Sequence, residues 1–345
     1  MMQSALTSQD AVKVDENTHL ERTASQFRQS VSGCKIIHSD VGKAFFLAEI
    51  ESFRQGSPSV RLIQLKILPP SSDRIDGLSK RPCEEPRRFT FLPGQWIDTY
   101  VPHLPKPGGF SLVSTPKYFR TRGLITLSIQ LTENPPSKWL WRDDAVGQKL
   151  MIRVGGNFTF PPSVQPPDLR QVDSLQFVAG GVGIKFGSTA TSLTKSPLMS
   201  MLQAIGEDVS VHPAAKITFH YLVRQRNDAL FLDTIAEIKQ YFGNRFGGHL
   251  WITRQTDSNG DVSVNNFSVQ IHKQIALAES EVGKPWGWWD QFLQMAAQDF
   301  DTYEKRAMSL AYICGPQGLT DRLVDAYEQL GMSTKSGQVQ VEKWW

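Results

Sequence analysis

Leu175-Gln176-Phe177-Val178-Ala179-Gly180-Gly181-Val182-Gly183 is a short apolar run that breaks into glycines. A run of this length suits a buried strand, and the glycines suit the turn that leaves it for a helix. The pattern downstream repeats the theme. Ser196 and Pro197 form an N-cap and first-turn pair ahead of a predicted helix over 198–205. Strands are predicted over 217–223 and 250–253, with a helix over 234–241 between them. A further strand over 310–314 ends in Gly315-Pro316, followed by a helix over 319–330 and a short strand over 339–342. Strands alternating with helices predict a doubly wound α/β domain whose ligand sits at the carboxyl ends of the strands. Two segments reach that end: the glycine turn at 180–183 and the turn at 314–316.

Upstream the pattern differs. Residues 60–67 and 124–131 alternate apolar and polar, and 96–101, 108–116 and 148–154 read as further strands. Residues 71–88 form a long charged loop, and a short helix is predicted to begin at Ser137 after Pro135-Pro136. Closely spaced strands with few helices predict a small antiparallel β-barrel. The proline-rich stretch 161–168 is the linker between the two halves.

The 345 residues, 40% hydrophobic and 21% charged, fit two globular domains. The formal net charge of +3 lacks the basic excess of a nucleic-acid binder. No apolar stretch approaches the roughly 18 residues that span a bilayer, so no membrane insertion is expected. Three cysteines, Cys34, Cys83 and Cys314, make neither a disulfide framework nor a CxxC metal or cluster site. The polar start, with Asp10, Asp15, Glu16 and Glu21, lacks the Arg-rich, acid-poor character of a mitochondrial presequence.

Five segments in order resemble the ferredoxin–NADP reductase-like flavin oxidoreductase superfamily, over Val60 to Trp345. They are Phe91-Leu92-Pro93-Gly94-Gln95-Trp96, Gly109-Phe110-Ser111-Leu112-Val113-Ser114-Thr115-Pro116, Gly180-Gly181-Val182-Gly183-Ile184 with Pro197-Leu198, Tyr312-Ile313-Cys314-Gly315-Pro316, and the aromatic C-terminus. Within the superfamily, Glu21-Arg22-Thr23-Ala24, Gly108-Gly109-Phe110-Ser111 and the ending Glu342-Lys343-Trp344-Trp345 are similar to the vertebrate oxidoreductase NAD-binding domain-containing proteins.

The resemblance implies a tail over 1–35, an FAD-binding β-barrel over 36–162 and an NAD(P)-binding α/β domain over 172–345. It implies hydride transfer from nicotinamide C4 to flavin N5, and delivery of electrons to an outside acceptor such as a haem or iron–sulfur protein. The flavin would be FAD, with FMN as the alternative, and the nicotinamide would be NAD or NADP. The compartment would be mitochondrial by resemblance, or cytoplasmic.

Residue by residue, the resemblance implies that the Ser111 hydroxyl meets flavin N5, that Phe110 packs on the flavin, and that Leu112 touches it through its backbone. Each has an ordinary reading beside this one, as a strand serine or a core hydrophobe. Ser137 would hold the flavin pyrophosphate or simply cap its helix. Gly180, Gly181, Val182, Gly183, Ile184 and Lys185 would form the nicotinamide nucleotide turn. Arg224 would face the adenosine ribose, or remain a surface charge. Cys314, Gly315 and Pro316 would sit beside the nicotinamide, with the Glu342 carboxylate near the reacting rings. Trp344 or Trp345 would stack on the isoalloxazine.

The sequence departs from the pattern at two places. Gly108 stands where an arginine would pair with flavin phosphate, which leaves Lys106, Arg153 or the backbone to replace it. Lys185 to Ser196 also separate the glycine turn from its helix, and that segment is expected to loop out. The alternative to an enzyme is therefore a degenerate nucleotide-binding protein without turnover.

Overall fold

A computed structural model describes residues 44–69, 88–163, 168–180, 196–207, 211, 213–223, 229–255, 268–273, 292–293, 295–296, 300 and 308–344. The first sheet contains β1 (Phe45–Ser57), β2 (Val60–Ile67), β3 (Trp96–Tyr100), β4 (Gly108–Ser111), β5 (Leu124–Gln130) and β6 (Lys149–Gly155), ordered β4-β3-β6-β1-β2-β5. Every pairing in it is antiparallel. Leu112, just past β4, bridges Leu127 of β5, and Val113 N–H donates to the Thr126 carbonyl at 2.9 Å. These contacts join the two outer strands, so the sheet closes on itself as the alternating pattern implies.

Strand β1 was not foreseen in the sequence. Register shifts between Ile50 and Ser52 and between Gln55 and Ser57 interrupt its alternation, and bulges of this kind blur a period of two. The expected strand over 108–116 ends at Ser111 and gives way to helix α1 (Pro116–Arg122). The local signals for that helix are complete: Thr115 accepts the Tyr118 N–H, Pro116 opens the first turn, and Gly123 closes it at φ 69°. The short helix α2 (Pro135–Leu140) begins two residues ahead of Ser137.

The second sheet contains β7 (Ser174–Gly180), β8 (Lys216–Val223), β9 (Phe246–Gln255), β10 (Ser268–Lys273), β11 (Ser309–Pro316) and β12 (Val339–Trp344). Its order is β10-β9-β8-β7-β11-β12, and all pairings are parallel. Helices α3 (Ser196–Glu207) and α4 (Leu232–Phe242) bury Leu198, Leu202, Ile235 and Ile238 on one face. Helix α5 (Gln317–Gln329) buries Leu319, Leu323 and Tyr327 on the other. The chain runs outward from β7 in one direction and returns at β11 on β7's other side. The order therefore reverses between β7 and β11, which is where open α/β sheets take their ligands.

No helix among the described residues is long and apolar enough to cross a membrane.

Candidate functional site

The two sheets share one apolar seam. Val113, Phe158 and Phe160 from the barrel side are buried in the same cluster as Phe177 of β7, Met201 of α3 and Tyr312 of β11. Tyr312 stacks on Phe177 with ring centroids 5.3 Å apart, and its hydroxyl donates to the Thr159 carbonyl at 3.2 Å. Ser200 Oγ donates to the Ser114 carbonyl at 2.9 Å, and Thr115 Oγ1 donates to Glu207 Oε2 at 2.5 Å. Thr115 thus caps α1 and ties it to the end of α3. The segment just past Ser111 and the strand that carries Cys314 both abut this seam.

On the barrel side, Trp96 of β3 pairs directly with Ser111 of β4, so the two side chains share a face. Ser111 is 1% exposed, and among the described residues nothing hydrogen-bonds to its Oγ. A buried hydroxyl left without a partner is costly and calls for a ligand or another explanation. Strand alternation turns Phe110 to the opposite face, into the barrel core with Ile97 and Leu140. Of the two readings of Phe110, flavin contact and core residue, its burial with Ile97 and Leu140 matches the core one. Leu112 is buried in the same core, and its N–H already donates to the Gln95 carbonyl at 3.1 Å.

The phosphate side differs from expectation. A Cβ on Gly108 would lie 2.7 Å from both the Phe110 ring and Pro136 Cβ, so the chain itself fills the place of the absent arginine. Ser137 does not cap its helix; Asn134 occupies that position. The Ser137 hydroxyl donates to the Gln130 carbonyl and accepts the Thr132 N–H, which braces the loop ahead of α2. Arg153 gives its guanidinium to Asp98 at 3.0 and 2.5 Å. Gly108 and Ser137 therefore offer no uncommitted side-chain group to a phosphate, while Ser111 keeps a buried hydroxyl without a partner among the described residues.

On the sheet side, Cys314 of β11 lies in register with Ala179 of β7 and Glu342 of β12. Cys314 is fully buried on the face that meets the barrel, with Leu310 and Tyr312. Parallel register places the Glu342 side chain beside it on that face. Burial pushes the Glu342 carboxyl up to about 7. Gly180 and Gly315 end adjacent strands, with Gly315's would-be Cβ 3.6 Å from Gly180 Cα and 2.9 Å from Leu319 Cδ2. Leu319 of α5 sits on both, so these glycines serve helix–strand packing on that side. Pro316 pairs with Trp344 across β11 and β12. Gly181, Val182, Gly183, Ile184, Lys185, Arg224 and Trp345 lie outside the described residues, as does the expected loop-out between the glycine turn and α3.

The Glu342 shift has a consequence for stability. Its folded value of about 7 exceeds the ordinary 4.5, so ionisation favours the unfolded chain. The penalty is absent below pH 4.5, grows as pH rises to 7, and is constant above. Glu342→Gln should therefore gain about 3 kcal/mol at pH 8 relative to pH 4.5, measured by urea unfolding at both. An equal effect at the two pH values would remove the carboxylate from this role.

No protein-family model matches the chain. Curated proteins named Oxidoreductase NAD-binding domain-containing protein 1 are its homologues along nearly the whole length. The one from Xenopus tropicalis is 26% identical over 337 residues, 96% of this chain and 85% of its own. The one from Danio rerio is 26% identical over 95% of this chain and 97% of its own. Among solved structures, a ferredoxin NADP+ reductase from Neisseria gonorrhoeae, with bound FAD and NADP, superimposes with a TM-score of 0.57. It is 14% identical, covering 87% of this chain and 99% of that one. A cytochrome P450 reductase from Amycolatopsis gives 0.55 at 17% identity, covering 87% and 69%. The two-domain fold is that of ferredoxin–NADP reductase-like flavoproteins.

Proposed function

We propose, for a chain with these homologues and this fold, an NAD(P)H-dependent flavin oxidoreductase. The observation that carries the reading is the buried Ser111 hydroxyl beside Trp96, which has no partner among the described residues. When bound, a flavin ring supplies a hydride acceptor and a nicotinamide supplies the hydride. Ser111 offers a hydrogen bond to the edge of the flavin ring. Cys314 presents a small, polarisable, buried surface for the nicotinamide at the strand-order reversal. Glu342 holds a carboxyl able to gain or lose a proton near neutrality. The seam excludes water and orients one half against the other. The acceptor is a separate protein, and the matched P450 reductase supports a haem or iron–sulfur partner by analogy of fold.

The filled space over Gly108 favours a second reading, a binding protein without turnover. The absorption spectrum separates the two. A protein reconstituted with flavin should show a flavin band that bleaches on addition of NADH or NADPH; no flavin uptake supports the second reading. Ser111→Ala should slow bleaching roughly 10- to 100-fold, the worth of one hydrogen bond strengthened at a developing charge. An unchanged rate would take Ser111 out of the reaction.

A further inference from the structure

We infer that this chain recognises a flavin by its isoalloxazine ring and does not read the phosphates. The inference rests on the oxidoreductase reading above and specifies its ligand more narrowly. A planar heteroaromatic ring needs an apolar face to lie on and a polar group at its edge. Both are present on the outward face of β3 and β4. The Trp96 indole lies across the bare backbone of Gly155 and Gly156, where a Cβ at either residue would come within 2.7 Å of it. Gly109, on the same face, approaches the indole at 4.0 Å. These glycines let the indole lie flat against the strands, half-buried, beside the buried Ser111 hydroxyl that nothing among the described residues satisfies.

A phosphate needs cations or backbone N–H groups that are not already committed. Four of the described barrel cations carry carboxylates. Arg153 is paired with Asp98, Arg61 with Asp143, Lys138 with Glu133 and Arg142 with Asp144. The start of α2 is no substitute. Pro135 and Pro136 occupy its first two positions and lack N–H groups, and Ser137's hydroxyl is engaged on both sides. No side chain fits at Gly108, since a Cβ there would lie 2.7 Å from both the Phe110 ring and Pro136. Among the described residues, ring recognition is built and phosphate recognition is not.

The test is binding of riboflavin, FMN and FAD to the full-length protein, followed by flavin fluorescence quenching. The expected dissociation constants agree within about threefold, whereas even one charge-assisted phosphate contact would separate them by roughly tenfold or more. Trp96→Ala should weaken all three by a similar factor of roughly ten, since stacking is common to them. Trp96→Phe keeps an aromatic face and should restore most of that loss, which separates lost stacking from misfolding. Lys106, exposed ahead of β4, provides the remaining check. Lys106→Ala should leave the FAD-to-riboflavin ratio unchanged. Preference for FAD over riboflavin by roughly tenfold or more, or FAD retained at one per chain through gel filtration, overturns the inference and leaves the oxidoreductase reading standing. Failure of all three flavins to bind overturns both.

Discussion

Gly94→Ala is expected to destabilise the protein by roughly 4 kcal/mol and to loosen the seam between the two sheets. Gly94 has φ 94°, a conformation that L side chains rarely adopt. Its Cβ would overlap the Phe158 carbonyl and the end of the Met201 side chain. Met201 can turn aside, but the carbonyl belongs to backbone that is already held: Phe160 N–H donates to the Pro93 carbonyl at 3.0 Å. The turn at 93–95, the segment at 158–160 and α3 therefore all meet at a position with no room for a methyl group. Gly147→Ala is the control. Its φ of 81° carries similar strain, but nothing lies within 4 Å of the added Cβ. It should cost about 1 kcal/mol. Equal losses in the two variants, measured by urea unfolding, would show that backbone strain alone acts at Gly94.

Acidification should remove a second large contribution. His220 of β8 is fully buried, and burial, followed by the neighbouring His249, holds its pKa at about 3. Trp251 Nε1–H donates to His220 Nδ1 at 3.3 Å. Gln176 Nε2 faces the other ring nitrogen at 3.4 Å while donating to the Ala296 carbonyl. Tyr327 donates to the Gln176 side-chain oxygen. With Nδ1 accepting from Trp251, the neutral ring carries its proton on Nε2, and a second proton on Nδ1 would meet the Trp251 N–H with no acceptor. The folded value lies below the ordinary 6.5, so the unfolded chain takes up a proton first. Stability is unaffected by this group above pH 6.5 and falls as pH drops towards 3. Between pH 7 and pH 4 the loss should reach roughly 3 kcal/mol. His220→Gln, though weaker at pH 7 through lost packing, should show an acid slope shallower by that amount. An unchanged slope would mean that other groups carry the acid sensitivity.

The His220 cluster also shows what the sequence conceals. Gln176, His220, Trp251 and Tyr327 have no motif spacing, and they meet only because β7, β8 and β9 lie side by side beneath α5. Cys314 and Glu342 were singled out separately by resemblance, and parallel register makes them neighbours. Trp96 was legible only as part of a barrel strand; its pairing with Ser111 makes it a ring platform. Phe110 stayed open between flavin contact and core in the sequence because four residues, Gly108 to Ser111, are too few to show which side of a strand is buried. The helix at Pro116 could have been read from Thr115-Pro116 and Gly123.

The sequence by itself determined the two architectures, because hydrophobic period, turn residues and helix caps act over a few residues. Alternation announced the antiparallel sheet, and the strand–glycine–helix units announced the parallel one. Only the tertiary structure decided which side chains share a face, which cations are neutralised and which hydroxyls lack a partner among the described residues. Those outcomes depend on strand register and on packing between segments far apart in the chain, and no local pattern encodes them.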